Sequence, residues 1–287
     1  MGSPLQVRRM TVHDLAFAHW LRGEVGWNQT LEDWKRFLEL EPDGCFLAEW
    51  CGTPVGTATT TTYGPELGWI GMVLVHPEYR RRGIARTLLD ICIAHLRDHG
   101  VHCIKLDATP AGRPVYLGLG FKDEWPLSRW ECKSSNLTPT ALASMIRGWQ
   151  GSDTGRTGAC DLAAVGVSRQ RLLRALMLQS RQAVVFEDES GRVAGFGLVR
   201  KGSRALYLGP IVAETPDIGT ALVEALVAQC QGEPLFWDVP EANTAATGWA
   251  GEHGWSVQRS LMRMYLGENL ASGNPQKQFG LAGPEVG

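Results

Sequence analysis

A run of three arginines, residues 80–82, followed by Gly83, is the group in this 287-residue sequence best suited to binding an anion. An apolar run of strand length, residues 68–75, precedes it, and apolar residues at helical spacing begin at Ile84. The first N–H groups of a helix lack partners and carry partial positive charge, so this junction suits a phosphate. Gly83 permits close approach of a ligand to the backbone, and Ala85 preserves clearance. We therefore predict a phosphate-binding turn, with a solvated basic turn as the alternative.

Two spaced motifs in this region are similar to those of a known family. R-x-x-G-x-A at residues 80–85 resembles the pyrophosphate loop, Q/R-x-x-G-x-G/A, of the GCN5-related N-acetyltransferases (GNAT superfamily). Y-x-x-L-G-F at residues 116–121 resembles a second signature of that family, at the expected distance downstream. The resemblance covers residues 5–133 directly and the remainder more faintly.

The resemblance implies an acetyl-CoA site, with coenzyme A as product. It implies that one strand pairs its backbone with the pantetheine arm, that this strand splays from the strand at residues 103–107, and that the basic turn holds the pyrophosphate. The residues that it assigns to the cofactor are Val73, Leu74, Val75, Arg80, Arg81, Arg82, Gly83, Ile84, Ala85, Arg86 and Thr87.

The resemblance assigns the role of general acid to Tyr116, facing the thioester sulfur. A tyrosine with an ordinary pKa near ~10 is protonated at neutral pH and can donate to a leaving thiolate. Many family members carry a glutamate that acts as the general base on the strand at residues 68–72, where this sequence has no glutamate. The base is therefore left open among several candidates, with a water chain as a further alternative: Glu24, Glu66, His76 and Asp107.

The later part of the chain repeats the earlier part. Residues 218–226 match 84–92 at an offset of 134, and the same offset carries residues 120–121 onto 254–255. At that offset, Glu214 to Gly219 replace the basic turn and Ala250 replaces Tyr116. We predict an α+β (mixed α/β) protein of two tandem GNAT-like domains, each a twisted mixed sheet flanked by helices. Residues 1–135 would be catalytic, and residues 136–287 would be a degenerate copy.

Composition excludes several classes of protein. Charges nearly cancel, with 28 Lys+Arg against 30 Asp+Glu, so nucleic acid and anionic membrane surfaces are not expected partners. No run approaches the ~20 apolar residues of a membrane span. Seven scattered cysteines fit reduced thiols in a cytoplasmic protein. The spacing of His95, His99 and His102 could suit zinc, but histidines favour helix ends through the dipole alone, so no metal is expected.

Together with the family resemblance, these observations predict an N-acetyltransferase that moves an acetyl group from acetyl-CoA to a primary amine of a small molecule, as a monomer or homodimer. The second domain would enclose the acceptor. Acetylation of a protein N-terminus or lysine is the alternative within enzymes, and a non-catalytic acyl-CoA-binding regulator is the alternative from another class. Hydrophobic periodicity predicts alternating short strands and helices up to residue 133, with a helix over residues 31–40 capped by Thr30. Gly71, inside the apolar run, predicts a bulge or a close approach to the backbone. Residues 151–158 have loop-like composition. Five tryptophans are candidates for pocket walls: Trp27, Trp69, Trp125, Trp237 and Trp249.

Overall fold

The computed structural model describes residues 4–134, here called the first half, and residues 141–287, here called the second half. The first half follows the order expected from its hydrophobic periodicity, and the helix at Leu31 begins with the expected Thr30 cap. Its elements are β1 (Leu5–Arg9), α1 (Leu15–Glu24), α2 (Leu31–Leu40), β2 (Cys45–Trp50), β3 (Thr53–Thr62), β4 (Gly68–Val75), α3 (Ile84–Asp98), β5 (Cys103–Ala108), α4 (Arg113–Leu117) and β6 (Lys122–Cys132).

The second half repeats this order of helices and strands, as the sequence repeat predicts, and adds one short strand. Its elements are β7 (Ile146–Gly148), α5 (Thr154–Val165), α6 (Gln170–Gln179), β8 (Gln182–Glu187), β9 (Val193–Arg200), β10 (Leu206–Ala213), α7 (Pro216–Ala228), β11 (Leu235–Pro240), α8 (Thr244–Glu252), β12 (Ser256–Gly267) and β13 (Gln278–Gly280).

The loop expected at residues 151–158 is wrong, because α5 begins at Thr154. The side chains of Gln150 and Asp153 exchange hydrogen bonds with each other's backbone N–H, which closes the helix start. Thr157, further along the same helix, is buried. Burial and capping therefore outweigh the weak helix propensity of the local glycines and threonines.

The described strands form one twisted mixed sheet in the order β1-β2-β3-β4-β5-β12-β6-β11-β10-β9-β8-β7, with β13 beside β10. The halves exchange their long final strands: β12 pairs with β5 of the first half, and β6 pairs with β11 of the second. β6 and β12 also pair with each other. The mixed α/β class is confirmed, but the expected pair of sheets is continuous, and residues 122–132 lie within the part of the sheet built by the second half.

Helices cover both faces of the sheet. Leu88, Leu89 and Cys92 of α3 pack on one face of the first half, and α7 packs similarly on the second half. On the other side, α1 and α2 share one hydrophobic cluster with α5 and α6. The two halves are therefore joined by a common core as well as by strand exchange. Among the helices of residues 4–134 and 141–287, none has both the length and the apolar character needed to cross a membrane.

A buried ion pair fixes α5 against the start of α6. Asp161 accepts hydrogen bonds from Nε (3.0 Å) and Nη2 (2.7 Å) of Arg169, and both side chains are almost fully buried. Arg169 also donates to the carbonyl of Gly287, so it holds the segment 281–287 against the helices. This contact matters for the site described below.

We expect Arg169→Met to destabilise the protein by about 3–5 kcal/mol, because it leaves the Asp161 carboxylate buried without a partner. Urea unfolding at neutral pH measures this loss. The matched control is Arg181→Met, which removes an exposed pair with Glu233 and should change the free energy of unfolding little. Equal effects of the two substitutions would contradict the role given to Arg169.

Candidate active site

The parallel strands β4 and β5 separate into a cleft at the middle of the first half. They pair only at Gly68–Ile104 and Trp69–Lys105, so the edge of β4 from Ile70 onward has no strand partner on that side among the residues that the structure describes. A cavity of about 400 Å³ occupies this opening. Val73, Leu74 and Val75 line it, as the expected splay requires. Free N–H and C=O groups along such an edge can pair with an extended ligand.

A bulge shapes β4 at the cavity. Thr57 pairs with Leu74 whereas Thr59 pairs with Gly71, so β4 carries one extra residue at this point. Met72 has a positive φ of 50°, a conformation that is strained for a residue with a Cβ. The bulge expected from Gly71 is therefore present beside that glycine, and it redirects the following backbone toward the cleft.

The start of α3 faces the same cleft. Gly83 caps the helix with a φ of 80°, and a Cβ built on it would meet nothing within 4 Å. The first hydrogen bond of the helix runs from the N–H of Thr87 to the carbonyl of Gly83 (3.0 Å). The N–H groups of Ile84, Ala85 and Arg86 precede that bond and are therefore available to an anion.

The arginines of the basic turn take different directions. Arg80 lines the cavity, together with Ala85 of the helix start. Arg82 places its guanidinium 5.2 Å from the ring centres of both Trp50 and Tyr79. Arg81 has a positive φ of 61°. The turn is thus held by aromatic stacking on one side and opens toward the cavity on the other.

The remaining residues assigned to this turn contribute through the backbone or lie beside it. The Ile84 side chain is buried in the core, so only its N–H can reach a ligand. Arg86 has its Nε 3.9 Å from the Asp90 carboxylate, and the Thr87 hydroxyl donates to the Gly83 carbonyl (3.3 Å).

Tyr116, on α4, lines the cavity opposite β4. Its ring packs edge-on against Phe121, with 6.0 Å between ring centres. Its hydroxyl makes no hydrogen bond to any residue that the structure describes, so it is available to a ligand. Burial raises the pKa of Tyr116 to about 12, which keeps the phenol protonated at neutral pH.

Of the four sequence candidates for the base, only Asp107 lines the cavity. Its carboxylate is fully buried and accepts hydrogen bonds from Nε (2.9 Å) and Nη2 (3.0 Å) of Arg263. Glu24 and Glu66 are exposed and line no part of the cavity. The His76 ring stacks on Trp20 at 5.3 Å and accepts from the N–H of Glu78.

Glu285 is a cavity residue that the sequence reasoning missed. The segment 281–287 crosses β4 so closely that a Cβ on Gly71 would lie 2.3 Å from the Glu285 carbonyl oxygen. The backbone of Glu285 therefore lies beside β4, the strand on which many family members carry a glutamate. Gly71 was expected to mark a bulge or a close approach, and both are present.

The Glu285 carboxylate is buried, and its Oε2 accepts a hydrogen bond from Nε2 of Gln29 (2.8 Å). Burial raises the pKa of this carboxyl, although the nearby Arg200 guanidinium acts in the opposite direction. A carboxyl with a raised pKa at the wall of a cavity is suited to accepting a proton near neutral pH.

The equivalent cleft of the second half is filled by the chain itself. β10 pairs with β11 only from Leu206 to Leu208, and β13 then hydrogen-bonds to β10 at Ile211 and Val212. Leu281, the residue after β13, donates its N–H to the backbone carbonyl of Asp238 on β11 (2.9 Å). Phe279 packs so tightly on α7 that a Cβ on Gly219 would lie 2.3 Å from its ring. The strand between β10 and β11 therefore takes the place that a ligand's extended arm would need.

Only one of the five tryptophans named as candidate walls lines the cavity, and it is Trp27. Trp69 and Trp125 instead enclose the Arg263 guanidinium, with ring centres at 4.6 Å and 4.2 Å. Trp237 and Trp249 belong to the core of the second half. His95 and His99, considered as metal ligands, pack against each other with 4.3 Å between ring centres and 44° between ring planes, and they line no part of the cavity.

The fold thus combines a central parallel pair that opens into a cavity, a helix start beside it and a tyrosine in the cavity wall. Two family models match the chain: the acetyltransferase (GNAT) family over residues 13–121 and an acetyltransferase (GNAT) domain over residues 159–280. The chain belongs to the GNAT superfamily as a tandem-domain member, and it is a transferase.

Relatives and solved structures agree with this assignment. The uncharacterised N-acetyltransferase YitH of Bacillus subtilis is 30% identical over 176 residues, a match that spans 61% of each chain. Holothin acyltransferase of a Pseudoalteromonas species is 23% identical and aligned over 91% of this chain and 87% of its own. A Pyrococcus horikoshii crystal structure has the same fold, with a TM-score of 0.83, 24% identity and coverage of 100% and 97%.

Proposed function

We propose that the protein is an acetyl-CoA-dependent N-acetyltransferase whose first half is catalytic. The observation that carries this proposal is the contrast between the clefts: the first is an open cavity of about 400 Å³, whereas β13 lies in the second. The second half also replaces the basic turn with Glu214 and Asp217, which would repel a pyrophosphate.

The first cleft fits acetyl-CoA. The free edge of β4 at residues 73–75 is suited to the pantetheine arm, and the free N–H groups at the start of α3, with Arg80, are suited to the pyrophosphate. Acetyl-CoA supplies the acetyl group as a thioester. The other residues assigned to it stay predictions at the positions described above.

The proposed chemistry uses two side chains that line the cavity. A primary amine is mostly protonated at neutral pH, so a base must remove a proton before the amine can attack. Glu285 would take that proton, and Tyr116 would donate its proton to the sulfur of the leaving group; both residues line the cavity. Backbone N–H groups of the β4 bulge would stabilise the developing oxyanion.

A small acceptor suits the enclosure of the cavity. Trp27 and Gln29 from the α1–α2 connection contribute one part of the wall, and Arg259, Pro284 and Glu285 of the second half contribute another. A wall assembled from both halves favours a compact amine over an extended polypeptide.

The test is thiol release from acetyl-CoA in the presence of a panel of amines that includes small primary amines, lysine-containing peptides and free peptide N-termini. We expect turnover with small amines. Turnover confined to peptides would support the protein-acceptor alternative. Binding of acetyl-CoA without turnover of any acceptor would support the regulatory-binding alternative.

A negative charge placed in the basic turn should strongly weaken cofactor binding. We expect Gly83→Asp to weaken acetyl-CoA affinity by roughly 100-fold or more, because a carboxylate would face the pyrophosphate. The fold should survive, since a Cβ at this position meets nothing within 4 Å. Gly83→Asn is the matched control, with similar backbone strain and no charge, and should bind much more tightly than the aspartate variant. Retained affinity in Gly83→Asp would refute this placement of the pyrophosphate.

A further inference from the structure

Arg259 lies on the exchanged strand β12 and lines the cavity of the first half. Its guanidinium makes no hydrogen bond or ion pair with any residue of the described ranges 4–134 and 141–287. Its Nε is buried without a partner. Burial, together with the nearby Arg129 charge, lowers the pKa of Arg259 to about 10, so the side chain remains a cation at neutral pH. A partly buried cation without a hydrogen-bonded partner is costly to a fold.

The pairing of β12 with β6 adds to this free-energy cost. Arg259 lies directly opposite Arg129 in the pairing of β12 with β6, and like charges facing each other across strands destabilise a sheet. Arg129 lies opposite Asp238 of β11 and donates to both carboxylate oxygens of that residue, at 2.7 Å and 2.6 Å. Tyr207 donates a further hydrogen bond to Asp238 (2.8 Å). The hydrogen bonds of the Asp238 carboxylate therefore come from Arg129 and Tyr207, and its charge acts on Arg259 only through space.

The acidic residues of the cavity also have partners other than Arg259. Asp107 accepts hydrogen bonds from Nε and Nη2 of Arg263, the next arginine after Arg259 along β12. Glu285 accepts its hydrogen bond from Gln29. Arg80, the other cation of the cavity wall, lies at the basic turn and donates to the Val75 carbonyl (3.4 Å). Glu285 and Asp238 act on Arg259 through space alone, so within the described residues the hydrogen-bonding groups of this guanidinium are left for a ligand.

We propose that Arg259 binds an anionic group of the acceptor, so that the substrates are primary amines that also carry a carboxylate or a phosphate. This inference rests on the proposed N-acetyltransferase function. Glu285 and Arg259 both line the cavity, so the acceptor's amine and its anionic group would be held by residues of opposite charge contributed by the second half. A guanidinium recognises carboxylate and phosphate alike through paired hydrogen bonds.

Matched acceptor pairs test the proposal: β-alanine with β-alaninamide, L-leucine with L-leucinamide, and O-phosphoethanolamine with ethanolamine. Rates are compared per neutral amine, since the members of a pair differ in amine pKa. We expect the wild-type protein to prefer one set of anionic members by about tenfold or more in kcat/KM, and the preferred pair identifies carboxylate or phosphate as the source. Arg259→Gln should lower kcat/KM for that member by about 10- to 100-fold and leave its neutral counterpart little changed.

Two further measurements separate binding from structure. Isothermal titration of the anionic amines into the coenzyme A complex should show binding to wild-type protein and to Arg259→Lys, with loss in Arg259→Gln. Thermal unfolding of Arg259→Gln should occur at no lower a temperature than that of wild type, because the substitution removes an unpaired buried charge. Arg181→Gln, on the surface, controls for a general change in charge.

The outcomes distinguish the two proposals. Turnover of anionic and neutral members with equal kcat/KM, unchanged in Arg259→Gln, would overturn the role of Arg259 and leave the N-acetyltransferase function intact. If acetyl-CoA binds and no amine is turned over, the proposed function fails, and the titrations still decide the inference. Equal binding of the anionic amines by wild type and Arg259→Gln would overturn it, as would a marked loss of thermal stability in Arg259→Gln with no change in selectivity.

Discussion

Tyr116→Phe is expected to lower kcat by about 100-fold or more, with little change in the affinity for acetyl-CoA. The substitution removes one hydroxyl that makes no hydrogen bond within the described residues, so the fold should be unaffected. Its ring contact with Phe121 is retained. Since burial raises the pKa of Tyr116 to about 12, the phenol stays protonated from neutral to mildly alkaline pH, and the loss should be constant over that range.

Steady-state kinetics with a good amine acceptor, together with direct titration of acetyl-CoA, measure the two quantities. Tyr79→Phe is the matched control, because Tyr79 packs beside the basic turn without lining the cavity. An unchanged kcat in Tyr116→Phe would remove this residue as the acid. A large loss of acetyl-CoA affinity would instead make Tyr116 a binding residue.

Glu285→Gln is expected to lower kcat/KM for the amine by about 100-fold or more, because the carboxylate that takes the proton is lost. Glutamine keeps the size of the side chain and can still accept from Gln29, so the segment 281–287 should stay on β4. The effect should appear in the amine kinetics and leave acetyl-CoA binding nearly unchanged.

The pH dependence gives a second signature of Glu285. Burial raises the pKa of this carboxyl above the ordinary value, and a base must be deprotonated to act. Wild-type kcat/KM should therefore fall as the pH drops through that raised pKa, and Glu285→Gln should lack this acid limb. Glu66→Gln, at an exposed glutamate outside the cavity, should keep both the rate and the limb. An acid limb that persists in Glu285→Gln would assign the base elsewhere.

Local signals in the sequence predicted most of the first half. The apolar run at residues 68–75 became β4, the spacing from Ile84 became α3, and Thr30 caps α2 as expected. Gly71 stood out because a glycine within an apolar strand implies a bulge or a close contact. Each of these predictions depends on residues near one another in the chain, where periodicity and capping act directly.

The proposed base and the proposed acceptor wall could not be predicted in this way. Glu285 is far from Gly71 in sequence and reaches it only because β13 runs along β10 and leads the following segment across β4. Arg259 reaches the first-half cavity only because β12 pairs with β5. Strand exchange leaves no local pattern in the sequence, because a strand has the same alternation of side chains whichever half of the sheet it pairs with. The tryptophan expectations were largely wrong for a similar reason, since core packing and cation stacking share the same residue type.

The number of acetyl-CoA molecules bound per chain tests the central claim most directly. Isothermal titration of the full chain should give one site per chain, since one cleft is open and β13 fills the other. The same titration of Gly83→Asp should give no measurable site. Two sites in the wild-type protein, or one site that survives Gly83→Asp, would contradict the assignment of the cofactor to the first half.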